Sequence, residues 1–376
     1  MDYHNIKKLG FGLMRLPMLN GKVDIEQTKQ MVDLFMSKGF SYFDTAYGYI
    51  NGASEAAIKE ALVDRYPRET FQLATKLPAF AASSAEEAKQ MFWTSLERTG
   101  ANYFDFYLLH NIGGERDKIY ESFGMWEFVA EQKKQGLIKR FGFSAHASAD
   151  YLENILNMHP EVDFVQLQIN YADWENSIVQ SKKCYEVAKK YGKPVIVMEP
   201  VKGGALADLP DAAAGILNAA NLIASQASWA IRFAASLDGV FVVLSGMSTL
   251  AQMENNVSFM ERFQPLIKEE YAVINKVQKI LLQIPRVPCT DCRYSEKGCP
   301  QHVSIPGIFK NYNDYLLHPD VELLRGDYEW QVSNGNRASA CVGCGACERV
   351  CPQSIRIIEE LKKAAAVFDT MSLQVE

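Results

Sequence analysis

No stretch of this 376-residue sequence approaches the roughly 20 consecutive apolar residues that a bilayer crossing needs, so no membrane partner is expected. The opening, MDYHNIKKLG, lacks the apolar core of a signal peptide, and the expected location is cytoplasmic. There is no basic block and the net charge is −6, so no nucleic acid partner is expected. No GxGxxG follows any run that reads as a strand. That argues against a Rossmann domain without excluding a nicotinamide cofactor. Cysteine is nearly missing before residue 285: Cys184 stands alone there, and the other seven of the eight follow. Cys184 sits in a predicted amphipathic helix and reads as a small core residue. In a cytoplasmic chain, the later crowd points to metal rather than disulfides.

What is present is ordinary globular material, 48% apolar and 22% charged, enough for one large core and a small appendage. Residues 3–20 read as an opening hairpin and first strand, with Gly10 and Gly12 keeping the backbone open near a ligand. Asp24 caps a helix running through Lys38 and stopped by Gly39. Strands follow at 40–44, 71–76, 104–110, 138–144, 164–169, 194–198 and 240–244. Helices are expected between them: one capped by Ser54, then 84–99, an unbroken one over 119–136 closed by Gly136, then 149–157, 178–191, 221–236 and 250–260. A further helix over 264–282 leads into the cysteine-rich region. Strand and helix alternate eight times over about 250 residues, the pattern of a (β/α)8 TIM barrel. The expected division is a barrel over 1–283 and a small, mainly α-helical ferredoxin-like iron–sulfur domain over 284–376.

The barrel reading gives particular meaning to FSYFDTAYGYINGASE, residues 40–55. An apolar strand ends at Asp44, and Tyr49 follows in a Gly/Asn-rich loop. Lys76 ends the next strand and His110 the one after. In a parallel barrel, successive strand ends converge on one face. A nearby ammonium makes a phenol a better acid, and a carboxylate keeps that ammonium charged and in place. A histidine beside them can donate to the carbonyl oxygen that the tyrosine protonates. The set amounts to a general acid with an electrophilic clamp. His146, at the fifth strand end, reads equally as a substrate contact or as a hydrogen-bond partner within the protein. VQLQIN alternates, so some of its polar side chains are expected in the barrel mouth. Arg15 is the only candidate anion clamp. SGMSTLAQMENN, after the eighth strand, offers hydroxyls and backbone N–H groups at a helix N-terminus, where barrels often hold phosphate.

Through LGFGLMRLP, FDTAYGY, TKLP, YLLH, GFSAH, VQLQIN, PVIVMEPVKGG and VVLSGMSTLAQMENN, the chain resembles the aldo-keto reductases, specifically a bacterial branch with a C-terminal iron–sulfur extension. The resemblance implies that Asp44, Tyr49, Lys76 and His110 are the catalytic tetrad. It implies that Gly246, Ser248, Gln252 and Asn256 hold the adenosine end of NAD(P)H, and that Ser144 and Gln166 hold the nicotinamide amide. Two positions depart from the family pattern. Gln252 stands where many relatives carry an arginine for the 2′-phosphate, which weakens the case for NADPH over NADH. Met198 stands where many carry an aromatic residue that stacks on the nicotinamide.

CVGCGACERVCP, from Cys341 to Pro352, is C-x2-C-x2-C-x3-C-P, the ligand run of bacterial ferredoxins. CTDCRYSEKGCP repeats the spacing at Cys289, Cys292, Ser295 and Cys299, with serine in the third position. In two-cluster proteins the fourth cysteine of a run ligates the other cluster. By that rule Cys341, Cys344, Cys347 and Cys299 complete one 4Fe–4S cluster. Cys289, Cys292 and Cys351 share a second site with Ser295, leaving three alternatives: a 3Fe–4S cluster, a serine- or water-ligated 4Fe–4S cluster, or an empty site. Zinc is the alternative metal, since C-x2-C pairs also bind it. Helix-like text between the runs resembles the helical ferredoxins.

The expected function is NAD(P)H-dependent reduction of a small-molecule carbonyl, an aldehyde or ketone, to an alcohol. The alternative is an iron–sulfur electron-transfer enzyme whose clusters deliver single electrons to the barrel or to a redox partner protein. The substrate, the preferred nicotinamide, the number of clusters and the oligomeric state are not encoded in these motifs.

Overall fold

The computed structural model describes residues 6–113, 116–176, 179–283, 285–317, 321–333 and 335–369. The start of the expected opening hairpin, the expected helix start at Ile178 and the expected domain boundary at Ile284 lie outside them. The chain divides into two compact units: residues 1–201 with 224–268, and residues 202–223 with 269–376.

The first unit is a closed barrel of eight parallel strands: β1 (Leu9–Gly12), β2 (Tyr42–Asp44), β3 (Gln72–Leu77), β4 (Phe104–Ile112), β5 (Ile138–Ala145), β6 (Phe164–Gln168), β7 (Val195–Met198) and β8 (Val240–Gly246). Each strand pairs with the next, and β1 closes the ring by pairing with both β8 and β2. Because side chains alternate along a strand, every second residue faces the interior. That layer holds Tyr42, Ala74, Phe106, Leu108, Phe164, Ile196, Phe241, Val242 and Leu244, all buried. Phe106 packs on Tyr42 at 5.0 Å, Phe164 at 5.3 Å and Phe241 at 5.8 Å between ring centroids. Two residues beyond these plugs, the same pleat carries Asp44, Lys76, His110, Gln166, Met198 and Gly246 toward the C-terminal mouth.

Several local expectations are corrected. Ser54 does not cap its helix: Gly52, in the left-handed region, precedes Ala53–Ile58, and the Ser54 hydroxyl donates to the Leu13 carbonyl at 2.9 Å. The expected unbroken helix over 119–136 is interrupted at Gly124 (φ 63), giving Arg116–Ser122 and Met125–Lys134. The helix expected from Asn221 begins at Gln226, where the Ser225 hydroxyl accepts the Ser228 N–H. The long loop after β7 contains a helix, Asp211–Ala220. Gly10 serves the interior rather than a ligand: a Cβ there would lie 2.7 Å from Val242 and 2.8 Å from Leu244.

The second unit is mainly helical, including Lys268–Leu281, Ile305–Leu317, Val321–Val332 and Ile357–Phe368. Its core gathers Ile308, Phe309, Tyr328, Ile357, Leu361 and Phe368. Gly203 (φ 67) packs against Thr290, where a Cβ would come 2.8 Å from the carbonyl oxygen. That close approach ties the segment after β7 to the first cysteine run.

Gly142 on β5 is the tightest seam of the barrel, since a Cβ would lie 2.4 Å from the Phe164 carbonyl oxygen. Backbone cannot yield as a side-chain tip can. Gly142→Ala is therefore expected to cost about 1–3 kcal/mol, the range for overpacking, read as a lower urea midpoint for the barrel transition. An unchanged midpoint would show that β5 and β6 separate freely.

Candidate functional site

Asp44 and Lys76 form an ion pair at the barrel mouth, their side chains 3% and 1% exposed. The Lys76 ammonium donates to Asp44 Oδ1 and to the Thr45 carbonyl at 2.7 Å. Gln166 Nε2 donates to the other Asp44 oxygen at 3.3 Å. Burial holds the Lys76 ammonium below its usual pKa, opposed by the charge of Asp44 and, further off, of Glu55. Burial raises the Asp44 carboxyl in turn, opposed by Lys76 and by the Gln166 hydrogen bond. The pair survives because each charge is the other's solvation.

Tyr49 follows β2 on a short 3-10 turn, Tyr49–Gly52, in which Ile50 and Asn51 take left-handed conformations. Lys76 Nζ lies 4.9 Å from the centre of its ring. The His110 ring meets Tyr49 edge-on, at 5.8 Å and 77°, with Phe80 beyond at 6.3 Å. Tyr120 fixes the strand end from behind, donating to the His110 carbonyl at 2.6 Å or the Leu77 carbonyl at 2.9 Å. The structure thus brings the four candidate catalytic residues together around one phenol. Such a group can protonate an oxygen and stabilise the charge left behind.

Ser144 and Gln166 lie on neighbouring strands in direct register. The Ser144 hydroxyl accepts the Asn111 N–H at 2.8 Å, while Gln166 reaches Asp44. After β8, helix Leu250–Met260 is capped by Thr249, whose hydroxyl accepts the Gln252 N–H. Gln252 Oε1 accepts the Ser248 N–H at 2.7 Å, Asn256 donates to Ser245 Oγ at 2.8 Å, and Ser248 Oγ donates to the Arg15 carbonyl at 2.8 Å. The Arg15 stem lies against Gly246, 3.5 Å from where a Cβ would sit. Arg15 therefore belongs with the loop after β8. The glycine there leaves a shallow cradle beside a helix N-terminus and a guanidinium stem, which fits a dinucleotide phosphate.

His146 is half-buried, and desolvation, with Arg116 nearby, pushes its pKa down to about 4 against the hydrogen bond that its ring donates to Gln168. Gln168 in turn donates to Asp173 at 3.0 Å, and Asn170 to the same oxygen at 2.9 Å. Sequence reasoning missed this network and one further residue. Glu55 is fully buried, receives the Thr75 hydroxyl at 2.8 Å and faces Arg98 at 3.5 Å, behind Lys76. A glutamate inside the apolar helical text SEAAI was the available signal.

In the second unit, none of the seven cysteines forms a disulfide. Cys299, Cys341, Cys344 and Cys347 line one pocket. Cys289, Cys292, Cys351 and Ser295 line another of similar size. Among the described residues, no three of His, Cys, Asp or Glu converge on one ion position. Sulfurs spread around a void suit a multi-iron core better than a single zinc, and this donor set fits it.

A closed parallel barrel with a Tyr–Lys–Asp–His mouth, joined to a helical cysteine unit, defines the class. Residues 8–279 match the aldo/keto reductase family and residues 288–356 match a 4Fe-4S dicluster domain. The chain belongs to the aldo/keto reductase family, a family of oxidoreductases. An aldo-keto reductase of Mycobacterium sp. (strain MCS) is 27% identical over 211 residues, 55% of this chain and 66% of that protein. A probable aldo-keto reductase 1 of Glycine max is 28% identical, over 53% of this chain and 57% of that protein. The chain thus spans just under two thirds, or less, of these curated relatives. Among solved structures, an aldo-keto reductase from Bacillus halodurans in its holo form superposes with a TM-score of 0.58 at 24% identity, covering 72% of this chain and 91% of that one. One from Klebsiella pneumoniae in complex with NADPH gives 0.58 at 19%, covering 73% and 91%. At these identities the likenesses carry the fold of the barrel.

Lys76→Met is expected to lower stability by about 3–5 kcal/mol, because it strands the Asp44 carboxylate. The deficit should shrink as pH falls: the stranded carboxyl's folded pKa lies above its unfolded one, so the folded state gains relative to neutral pH once Asp44 is protonated. Urea midpoints at pH 7 and pH 4.5 check both halves, and a pH-independent deficit would point to lost packing instead. For His146, NMR titration should give a pKa of about 4. The folded value is depressed, so the stability contribution is present above the unfolded value of about 6.5 and is lost as pH falls toward 4. Titration near 6.5 would place the ring in water.

Proposed function

We propose that the barrel reduces an aldehyde or ketone to an alcohol, with NAD(P)H as the reductant. Bound NAD(P)H supplies the hydride that adds to the carbonyl carbon. Tyr49 delivers the proton to the carbonyl oxygen. Lys76 stabilises the phenolate that remains, Asp44 and the Thr45 carbonyl hold Lys76 in place, and His110 orients the substrate oxygen. Ser144 and Gln166 hold the nicotinamide amide. Gly246, Ser248, Gln252 and Asn256, with Arg15, hold the adenosine and phosphate end. Phe80, against His110, supplies an apolar wall for the substrate. The observation that carries this reading is the buried Lys76 ammonium 4.9 Å from the Tyr49 ring, locked by Asp44. The NADPH named for the Klebsiella pneumoniae protein supports the cofactor class. Gln252 offers no charge for a 2′-phosphate, so NADH is the other cofactor to test. Cysteine pockets in the second unit are read as sites for iron–sulfur clusters, which supply single electrons when present.

Tyr49→Phe tests the assignment. Carbonyl-dependent oxidation of NAD(P)H should fall by 10²-fold or more, the usual order for losing a general acid. Nicotinamide binding, followed by fluorescence quenching, and iron content should stay as in the parent. An unaltered rate would remove Tyr49 from the chemistry. Bleaching of the cluster absorbance by nicotinamide alone, with no carbonyl, would favour the electron-transfer alternative.

A further inference from the structure

The two cysteine runs share one spacing, and Ser295 occupies in the first the position that Cys347 occupies in the second. Their surroundings correspond as well. Ser295 is 7% exposed and Cys347 6% exposed. Each lies on a short helical turn, Tyr294–Lys297 and Ala346–Val350. A pocket persists on the serine side, closely similar in size to the four-cysteine pocket. Among the described residues, no histidine or carboxylate lines it as a replacement donor; apart from Cys289, Cys292, Cys351 and Ser295 its wall combines Thr290, Arg293 and Gln353 with apolar residues such as Ile305, Phe309 and Ile357. Its ligand loop is also held from outside, through the close packing of Gly203 on Thr290 between Cys289 and Cys292.

We propose that the cavity bounded by Cys289, Cys292, Cys351 and Ser295 is a second iron–sulfur site, binding a 4Fe–4S cluster through three thiolates and leaving the iron that faces Ser295 without a protein ligand. The proposal rests on the second unit being a cluster carrier and is independent of the chemistry at the barrel mouth. Its physical basis is donor softness. Iron–sulfur clusters are held by thiolates, and a serine hydroxyl is a hard donor that stays protonated where a thiol ionises. The serine-side pocket matches in size the pocket that four cysteines surround, while its donor set secures three of the cluster's corners. The fourth iron is therefore exchangeable. On mild oxidation one electron passes to an added oxidant, and the loosened iron leaves as Fe(II), so that a 3Fe–4S cluster remains on Cys289, Cys292 and Cys351. The four-cysteine site holds all of its irons under the same treatment.

The test uses the full chain, reconstituted anaerobically with iron and sulfide, titrated with ferricyanide in the presence of an Fe(II) chelator and followed by electron paramagnetic resonance. Expected are about eight irons per chain, then release of about one Fe(II) with the signal of an oxidised three-iron cluster. Ser295→Cys should keep the iron and lose that signal by about tenfold or more, because a fourth thiolate secures the corner. Ser295→Ala should release iron as readily as the parent, since the hydroxyl is not a ligand. Cys351→Ala should abolish the signal and leave about four irons, and circular dichroism checks that each variant is folded. About four irons in the parent, with the Cys351→Ala variant unchanged, would mean an empty second cavity and overturn the proposal while sparing the first site. A chain that takes up no iron would overturn both. A three-iron signal undiminished in Ser295→Cys, or iron loss much faster in Ser295→Ala, would also overturn it, the first by assigning the signal elsewhere and the second by making the serine a ligand.

Discussion

The buried ion pair between Lys76 and Asp44 constrains everything around the barrel mouth. Two opposite charges taken out of water are tolerated only where geometry is tight and the remaining hydrogen-bonding capacity is used. Thr45 supplies a carbonyl to the ammonium and Gln166 an amide to the carboxylate. Each of those residues is in turn fixed by the closure of the barrel. β2 must pair with both β1 and β3 to carry Asp44 inward beside Lys76, and β6 must bring Gln166 across the mouth. The ring of strands thus acts as the jig in which one costly electrostatic contact is assembled.

The pleat turns that jig into a site. Below the mouth, the inward positions are apolar and packed around Phe106. Two residues further along four of the strands, the same positions become acidic at Asp44, basic at Lys76, imidazole at His110 and amide at Gln166. The interior plug therefore serves two purposes. It excludes water beneath the ion pair, which strengthens the pair's field, and it fixes the height at which the polar ring begins. Tyr49 alone comes from a loop, and its conformation is set by two left-handed residues, Ile50 and Asn51. A side chain held by a strained turn, between an ammonium and an imidazole, is how this chain presents a phenol at the mouth without burying it.

The second unit works by a different logic. Its helices build an ordinary apolar core, yet the cysteines stand around two voids instead of filling them. In each void, three residues of one run meet the fourth residue of the other, so neither site exists until both runs are folded together. Both therefore depend on one tertiary arrangement, including the Gly203–Thr290 contact that fastens the first run. The asymmetry between their donor sets is a single atom: oxygen at Ser295 where sulfur stands at Cys347.

Much of this was legible in the sequence because it is periodic or local. Eight alternations of apolar strand and amphipathic helix define a barrel, and a barrel forces successive strand ends onto one face, so Asp44, Lys76 and His110 were readable as neighbours although they are far apart in the chain. The ferredoxin spacing likewise announced thiolate clusters. What the chain alone did not disclose depends on backbone angle or on three-dimensional crowding. The break at Gly124, the replacement of Ser54 by Gly52 at a helix start, and the interior role of Gly10 follow from what lies across space at each position. The placement of Arg15 against Gly246, the burial of Glu55 behind Lys76 and the Gln168–Asp173–Asn170 network are of the same kind. Periodicity fixes which face a residue shares, because pleat and helical pitch are properties of the local chain. Which atoms then meet on that face was decided only when strand closure and packing brought distant segments to within hydrogen-bonding distance.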